Sequence, residues 1–275
     1  MVSPVRYATL ENAVGAAWKI AVADALAHAE RPLLVLDYDG TLAPIAATPE
    51  KAKPTSEIIA LLESAIAVGI TVAVVSGRDG PTLQKWLGHL PIHLVSEHGG
   101  AHRKPGGVFV DRVKPETLTW FPTARAILAE VRAKTAGSIL EPKRFSFSFH
   151  YRNVEARIGE QVVDSLAQRL REHLPETVEL HRGKMVLEVR PAGIHKGVAL
   201  ADLAALTRAD FAIAAGDDRT DEDMFVKPPD GTWTIKIGAG PTQARVRLDS
   251  VTELRGFLLE AISARRVVRE EKQHG

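Results

Sequence analysis

The chain contains no cysteine. That excludes structural disulfides, thiolate metal sites and thiol catalysis, and it suits a cytoplasmic protein. Net charge is also scarce: 35 Lys+Arg stand against 34 Asp+Glu, for a formal charge of +1 at pH 7. No electrostatic footprint for nucleic acid follows from such a balance. Long hydrophobic runs are missing, and none approaches the roughly 18 apolar residues of a membrane helix. The Ala-rich stretch "NAVGAAWKIAVADALAHAE" is interrupted by Lys19 and Asp24. No charged n-region and cleavage signature frame it, so residues 1–30 read as a soluble leader helix rather than a signal peptide. Internal repeats and low-complexity segments are absent too. What remains is a 275-residue chain, 45% hydrophobic and 25% charged, with room for one large or two modest globular domains.

Short apolar runs alternate with helical patterns at both ends of the chain. "LLVLD" (33–37), "ITVAVVS" (70–76) and "HLVSEHG" (93–99) read as strands covered on both faces. Between the first two, a helical pattern starts at Pro54, Thr55 and Ser56 and stops at Gly69. After Gly100 the pattern changes. Gly106 and Gly107 signal a hairpin, and "FSFSFHYR" (145–152) and "KMVLEVR" (184–190) alternate like strands with one exposed face. Two amphipathic helices are expected near 121–135 and 154–173. Doubly covered strands then return, with a helix at 195–206 and strands at 211–218 and 233–238. The pattern is α/β: a parallel-sheet core from 1–100 and 192–275, with an α+β segment, 101–191, inserted into it. The tail "ARRVVREEKQHG" reads as a frayed, solvated helix end.

In open α/β sheets, ligands bind beyond the carboxyl ends of the strands. Here those ends carry Asp37 and Asp39, then Ser76-Gly77-Arg78, then Gly216-Asp217-Asp218, and Lys196 opens the helix before the last of these strands. Clustered carboxylates repel one another unless a cation sits among them. An oxygen-rich set without sulfur favours Mg²⁺, which Asp37, Asp217 and the backbone carbonyl of Asp39 would hold. Asp37 then serves as a carboxylate nucleophile and Asp39 as general acid and base. Ser76 and Lys196 would hold phosphate oxygens as charge develops. A D-x-D at a strand end is by itself a common turn or cap, and a lone Asp-Asp is weaker still. The order DxDGT, strand–Ser-Gly, Lys, strand–GDD is what carries the reading.

Through "LDYDGTL", "VVSGR", Lys196 and "GDDRTDEDMF" the chain resembles the haloacid-dehalogenase superfamily of phosphotransferases. "SGRD", "SEHGG" (96–100) and "KMVLEVRP" (184–191) narrow the resemblance to its trehalose-6-phosphate phosphatases. It spans about residues 33–226. One departure is His195-Lys196-Gly197, where the family usually has Asn-Lys-Gly. The resemblance implies a Rossmann-like core with a mobile cap, placed between the second and third motifs, that sets substrate specificity. It implies Mg²⁺-dependent hydrolysis of trehalose 6-phosphate through an aspartyl-phosphate, the last step of trehalose biosynthesis. Asp37, Asp39, Thr41, Ser76 and Lys196 would be catalytic. Asp37, Asp39, Asp217, Asp218 and Asp221 would surround the metal. A functional pairing with a trehalose-phosphate synthase and a monomeric state are expected as well.

The residues themselves support a sugar-reading cap. Lys184, Glu188 and Arg190 share one strand face with Val186, while Met185, Leu187 and Val189 share the other. The charged face meets water or a polar ligand. Glu97 and His98, at the hinge into the cap, join them through family position, together with Gly77 and Arg78; Arg103, Lys143 and Arg144 are further candidates. Three alternatives stay open: a phosphatase of the same fold acting on sucrose phosphate or mannosyl-phosphoglycerate, a phosphosugar mutase, and a sugar-phosphate-sensing module without turnover.

Overall fold

The computed structural model describes residues 17–46, 49–183 and 185–274; the first half of the leader and Lys184 lie outside them. The chain runs α1 (Ala17–His28), β1 (Pro32–Leu36), α2 (Ser56–Ala67), β2 (Thr71–Val75), α3 (Gly80–Leu87), β3 (His93–Ser96), β4 (Ala101–Arg103) and β5 (Phe109–Asp111). The inserted segment supplies α4 (Phe121–Lys134), β6 (Ile139–Pro142), β7 (Phe147–His150), α5 (Ala156–His173), β8 (Val178–Gly183) and β9 (Val186–Pro191). Then follow α6 (Lys196–Thr207), β10 (Phe211–Gly216), α7 (Glu222–Val226), β11 (Thr232–Ile237), β12 (Val246–Leu248) and α8 (Val251–His274).

Alternate residues of the central strands enter two different apolar layers. Leu34, Leu36, Val72, Val74 and Ile213 pack with Val22, Leu26, Ile58, Leu62 and Leu258 of α1, α2 and α8. Leu33, Val35, Ala73 and Ala212 pack with Leu200 and Leu203 of α6 and Met224 of α7. Burial on both faces is why these strands are continuous apolar runs. The sheet order is β12-β11-β10-β1-β2-β3-β4-β5, parallel from β12 to β3. β1 is therefore flanked by β2 and β10, with Leu36 opposite Val74 and Ala215. The strand order reverses around β1, and the residues just after β1, β2 and β10 fall on one edge, a topological switch point. In α2, Thr55 accepts the Ile58 amide through its hydroxyl and Gly69, at φ 72°, ends the helix, as the sequence pattern indicates.

Three sequence expectations shift. The hairpin 101–111, expected in the inserted segment, is paired antiparallel to β3 and belongs to the core sheet. The separate four-stranded sheet, β6-β7-β9-β8, begins only beyond it and buries Phe147, Phe149, Leu187 and Val189 against Leu166 and Leu170 of α5. The strand expected over 184–190 starts at Val186, because Met185 takes a left-handed conformation, φ 61°, in the turn between β8 and β9. The face alternation of Leu187 and Val189 against Glu188 and Arg190 is unaffected. The tail is a largely exposed helix end as expected, but it is unfrayed to His274 and carries a buried arginine. Arg265 donates from Nε to the Val68 carbonyl (2.9 Å) and from Nη1 to those of Leu26, Ala27 and Ala29 (3.0, 3.1 and 2.8 Å). The last carbonyls of α1 lack intrahelical donors, and Arg265 supplies them.

Candidate active site

Asp37 leaves β1 still in register, its amide donating to the Ala215 carbonyl at 3.0 Å. Lys196, the first residue of α6, donates to Asp37 Oδ1 at 2.7 Å and to Asp221 Oδ1 at 2.6 Å, and all three are buried. Asp221 Oδ2 accepts the amides of Asp217 (2.9 Å) and Asp218 (3.0 Å), which folds the loop after β10 around it. Asp218 Oδ1 accepts the Thr220 amide (2.7 Å) and hydroxyl (2.6 Å). Gly40 sits at φ 84°, and a Cβ there would lie 2.2 Å from Asp217 Oδ2, so this turn admits only glycine.

Charge is unbalanced here. Burial pushes Asp37 well above the usual carboxylate range; Lys196 opposes this, and Asp221, Asp217 and Asp218 add to it. Asp217 is pushed up to about 7 by burial, then by Asp221 and Asp218. Asp221 rises to about 6, again chiefly by burial, against the pull of Lys196. Burial would lower Lys196, but Asp221 and Asp37 outweigh it and hold its ammonium charged. For Asp218, burial is outweighed by Lys196 and the Thr220 hydrogen bonds, and it stays below the usual range. Asp37, Asp217 and Asp221 each offer a carboxylate oxygen, all within 4.8 Å of one another. An oxygen-only cluster with raised acids fits a hard divalent cation. Asp221 has both oxygens engaged, so Asp37 and Asp217 are the better-placed ligands.

Asp39 is turned elsewhere. Arg78 donates from Nε to its Oδ2 (2.7 Å) and from Nη2 to its Oδ1 (2.6 Å). Its carboxylate, expected as the general acid and base, is thus held by a guanidinium, and its backbone carbonyl remains the group expected at a cation. Ser76 Oγ accepts the Arg78 amide at 3.2 Å. Thr41 is fully buried, and its hydroxyl has no partner among the described residues.

A cavity of about 1310 Å³ separates this edge from the four-stranded sheet. Asp37, Asp39, Ser76, Gly77, Arg78, Glu97, His98, Lys196 and Asp218 line it from the core; Lys143, Arg144 and Glu188 line it from the inserted segment. His98 Nε2 lies 3.2 Å from Glu188 Oε1. Burial lowers the His98 pKa against the pull of Glu188; Glu188, which burial alone would raise, is held well below its usual range with His98, Lys143 and Arg190 beside it. Burial keeps the His98 imidazole neutral near pH 7, so that Nε2 donates to the Glu188 carboxylate. His98 Nδ1 and Glu188 Oε2 are buried without partners among the described residues. Glu97 and His98 stand at φ 47° and 58°, so the strand expected to reach residue 99 stops at Ser96. The Glu97 carboxylate accepts the Phe145 amide (3.0 Å), tying hinge to insertion. Lys143 donates to the Gly77 carbonyl at 3.2 Å, and Arg144 pairs with Asp111 at 2.6 Å.

Two expected sugar contacts lie outside the cavity lining. Arg103 is buried, donating to the carbonyls of Gly107 (3.1 Å) and Gly88 (2.8 Å), and it fastens the β4–β5 turn to the end of α3. Arg190 is buried between Glu179 and Asp223, 3.2 Å from each, and links β9 to α7. Strand alternation placed Arg190 on the charged face of its strand but did not name the acids that wait there. Sequence reasoning also missed Lys236 in "WTIKIG". It is buried on β11 and donates to the Asp217 carbonyl. A lysine in an otherwise apolar strand was the available signal.

The fold is similar to that of a haloacid dehalogenase-like hydrolase from B. subtilis, which superposes with a TM-score of 0.60 at 15% identity, covering 82% of this chain and 98% of that one. The chain belongs to the trehalose-phosphatase family, whose model matches residues 35–250. It is 41% identical over 234 residues to the bifunctional trehalose-6-phosphate synthase/phosphatase of Thermoproteus tenax, an alignment covering 84% of this chain. The chain spans about a third of that relative's length, 32%. It is also similar to the C-terminal domain of C. albicans trehalose-6-phosphate phosphatase, with a TM-score of 0.80 and 26% identity over 88% of this chain and 96% of that one. No helix among the described residues is long and apolar enough to cross a membrane.

Proposed function

We propose that this protein hydrolyses trehalose 6-phosphate to trehalose and inorganic phosphate through an aspartyl-phosphate at Asp37. Family membership supports the substrate. The observation that carries the chemistry is a buried Asp37 paired with Lys196 on the floor of a cavity large enough for a disaccharide, with Asp39 two residues on. Asp37 attacks phosphorus through a carboxylate oxygen, and the bond from phosphorus to the sugar oxygen breaks. The departing oxygen takes a proton from Asp39. Water then attacks phosphorus, gives a proton to Asp39, and breaks the acyl-phosphate bond, which restores the Asp37 carboxylate and releases phosphate. Lys196 keeps Asp37 oriented and balances charge on the transferring group, and the hydroxyls of Ser76 and Thr41 are donors for its oxygens. Asp37, Asp217 and the Asp39 carbonyl would hold Mg²⁺, which when bound neutralises the charge of the carboxylates and of the phosphoryl oxygens.

Glu97, His98, Lys143 and Glu188 are the proposed sugar-reading groups, and the four-stranded unit the specificity cap. The fused Thermoproteus relative motivates pairing with a trehalose-phosphate synthase in trehalose biosynthesis, in the cytoplasm. The test is phosphate release from a panel of sugar phosphates, with Mg²⁺ and with chelator. Trehalose 6-phosphate should lead, and only with metal. Preference for another sugar ester would overturn the substrate while leaving the chemistry standing.

A further inference from the structure

The pair of Asp39 and Arg78 opposes the step that Asp39 is needed for. Both oxygens of Asp39 accept from the guanidinium fork, at 2.7 and 2.6 Å. A carboxylate so engaged keeps one further lone pair on each oxygen, but a proton placed on either oxygen competes with the guanidinium fork, so the pair opposes proton delivery to a leaving alcohol.

Arg78 is built to leave the pair. Its guanidinium lies over the Trp86 ring, 4.5 Å from the centroid, with the Tyr38 ring 5.9 Å away. Trp86 is on α3, whose N-terminus starts just after Arg78 and is capped by Asp79 accepting the Thr82 amide at 2.8 Å. The Arg78 amide donates to Ser76 Oγ. Backbone and aromatic platform are therefore both fixed, and the carboxylate partner is the exchangeable part. The guanidinium faces the same cavity as Asp37, Ser76 and Lys196, where a phosphoryl group must sit for attack by Asp37. A phosphomonoester carries up to two negative charges where Asp39 carries one, and it offers the fork the same two-point geometry.

We infer that Arg78 is a positioning residue that changes partners: it holds the Asp39 carboxylate and transfers its hydrogen bonds to an incoming phosphoryl group, so that substrate binding frees Asp39 for proton transfer. This rests on the phosphatase reading above. It makes substrate binding and readiness for proton transfer a single event, with Trp86 as the surface on which the guanidinium pivots.

The test follows the Arg78 Nε–H resonance in ¹⁵N-labelled full-length protein, identified by its loss in Arg78→Gln. Should that variant fail to fold, Arg78→Lys serves the same purpose. The probe is inorganic phosphate with Mg²⁺, and its occupancy is checked by calorimetry. In the empty protein, Asp39→Asn should shift the resonance strongly. Saturating phosphate should shift it in the wild type, and the difference between wild type and Asp39→Asn should shrink several-fold. A wild-type resonance that does not move at saturation, or a difference that persists in full, overturns the exchange. Sugar-phosphate hydrolysis by the wild type is measured in parallel. Hydrolysis with an unmoved resonance sinks only the exchange, whereas no hydrolysis of any sugar phosphate sinks the reading beneath it.

Discussion

Lys196 Nζ lies 2.7 Å from Asp37 Oδ1, and neither residue reaches solvent appreciably. The same ammonium holds Asp221 at 2.6 Å. Removing it strands two buried carboxylates, which costs far more than the net worth of the pair. Lys196→Met should therefore lower unfolding free energy by about 3–5 kcal/mol and abolish turnover. Chemical denaturation in chelator measures the first. A variant as stable as the wild type would mean that the carboxylates were already neutral.

Metal and pH should be linked with a defined sign. Asp217 is pushed up to about 7 and Asp221 to about 6, both chiefly by burial. Acids with raised folded pKa values bind protons more tightly folded than unfolded. Their contribution to stability is full below the unfolded value and is lost as pH rises through the folded one. A divalent cation needs its ligand Asp217 deprotonated and is favoured by a charged Asp221 beside it. The stabilisation by Mg²⁺, read as the Tm difference with and without chelator, should widen as pH rises from about 5 to about 8. A constant difference across that range would argue against a cation among these acids.

Glu188 and His98, 3.2 Å apart, should decide which sugar is accepted. Buried polar groups built to bond hydroxyls reject a substrate that leaves them unpaired. Glu188→Ala should cut kcat/KM for trehalose 6-phosphate by about 10²-fold or more. Hydrolysis of p-nitrophenyl phosphate, which has no sugar to read, should change only a few-fold. Equal losses on both substrates would assign Glu188 to holding the fold.

Arg265 offers the opposite contrast, far from the cavity. Its replacement by Met leaves the carbonyls of Val68, Leu26, Ala27 and Ala29 without their donor. Arg265→Met should destabilise the protein by at least about 1–3 kcal/mol. The kcat per folded molecule should be unchanged, and a kcat that falls with stability intact would contradict a purely structural role.

The parallel core was legible because its strands are apolar on both faces, and the site because Asp37, Ser76 and Asp217 end those strands on one edge. What stayed hidden depends on partners chosen in three dimensions. Hairpin 101–111 has the same turn signal whichever sheet it joins, and its pairing to β3 is a tertiary choice. Arg103 and Arg190 looked like ligand-seeking charges, yet backbone carbonyls and acids from distant segments take them. Glu97 and His98 adopt left-handed backbone without a glycine to signal it. The fork from Arg78 to Asp39 joins two motifs that the sequence read separately.

Trapping the phosphoenzyme decides whether Asp37 is the nucleophile. Protein with Mg²⁺ is mixed with excess trehalose 6-phosphate, quenched within a turnover, treated with borohydride and mapped by mass spectrometry. Borohydride reduces an acyl phosphate to the alcohol, so Asp37 should be recovered as homoserine, and Asp37→Asn should yield no such product and essentially no turnover. Reduction at another carboxylate, or rapid turnover by Asp37→Asn, would contradict covalent catalysis at Asp37.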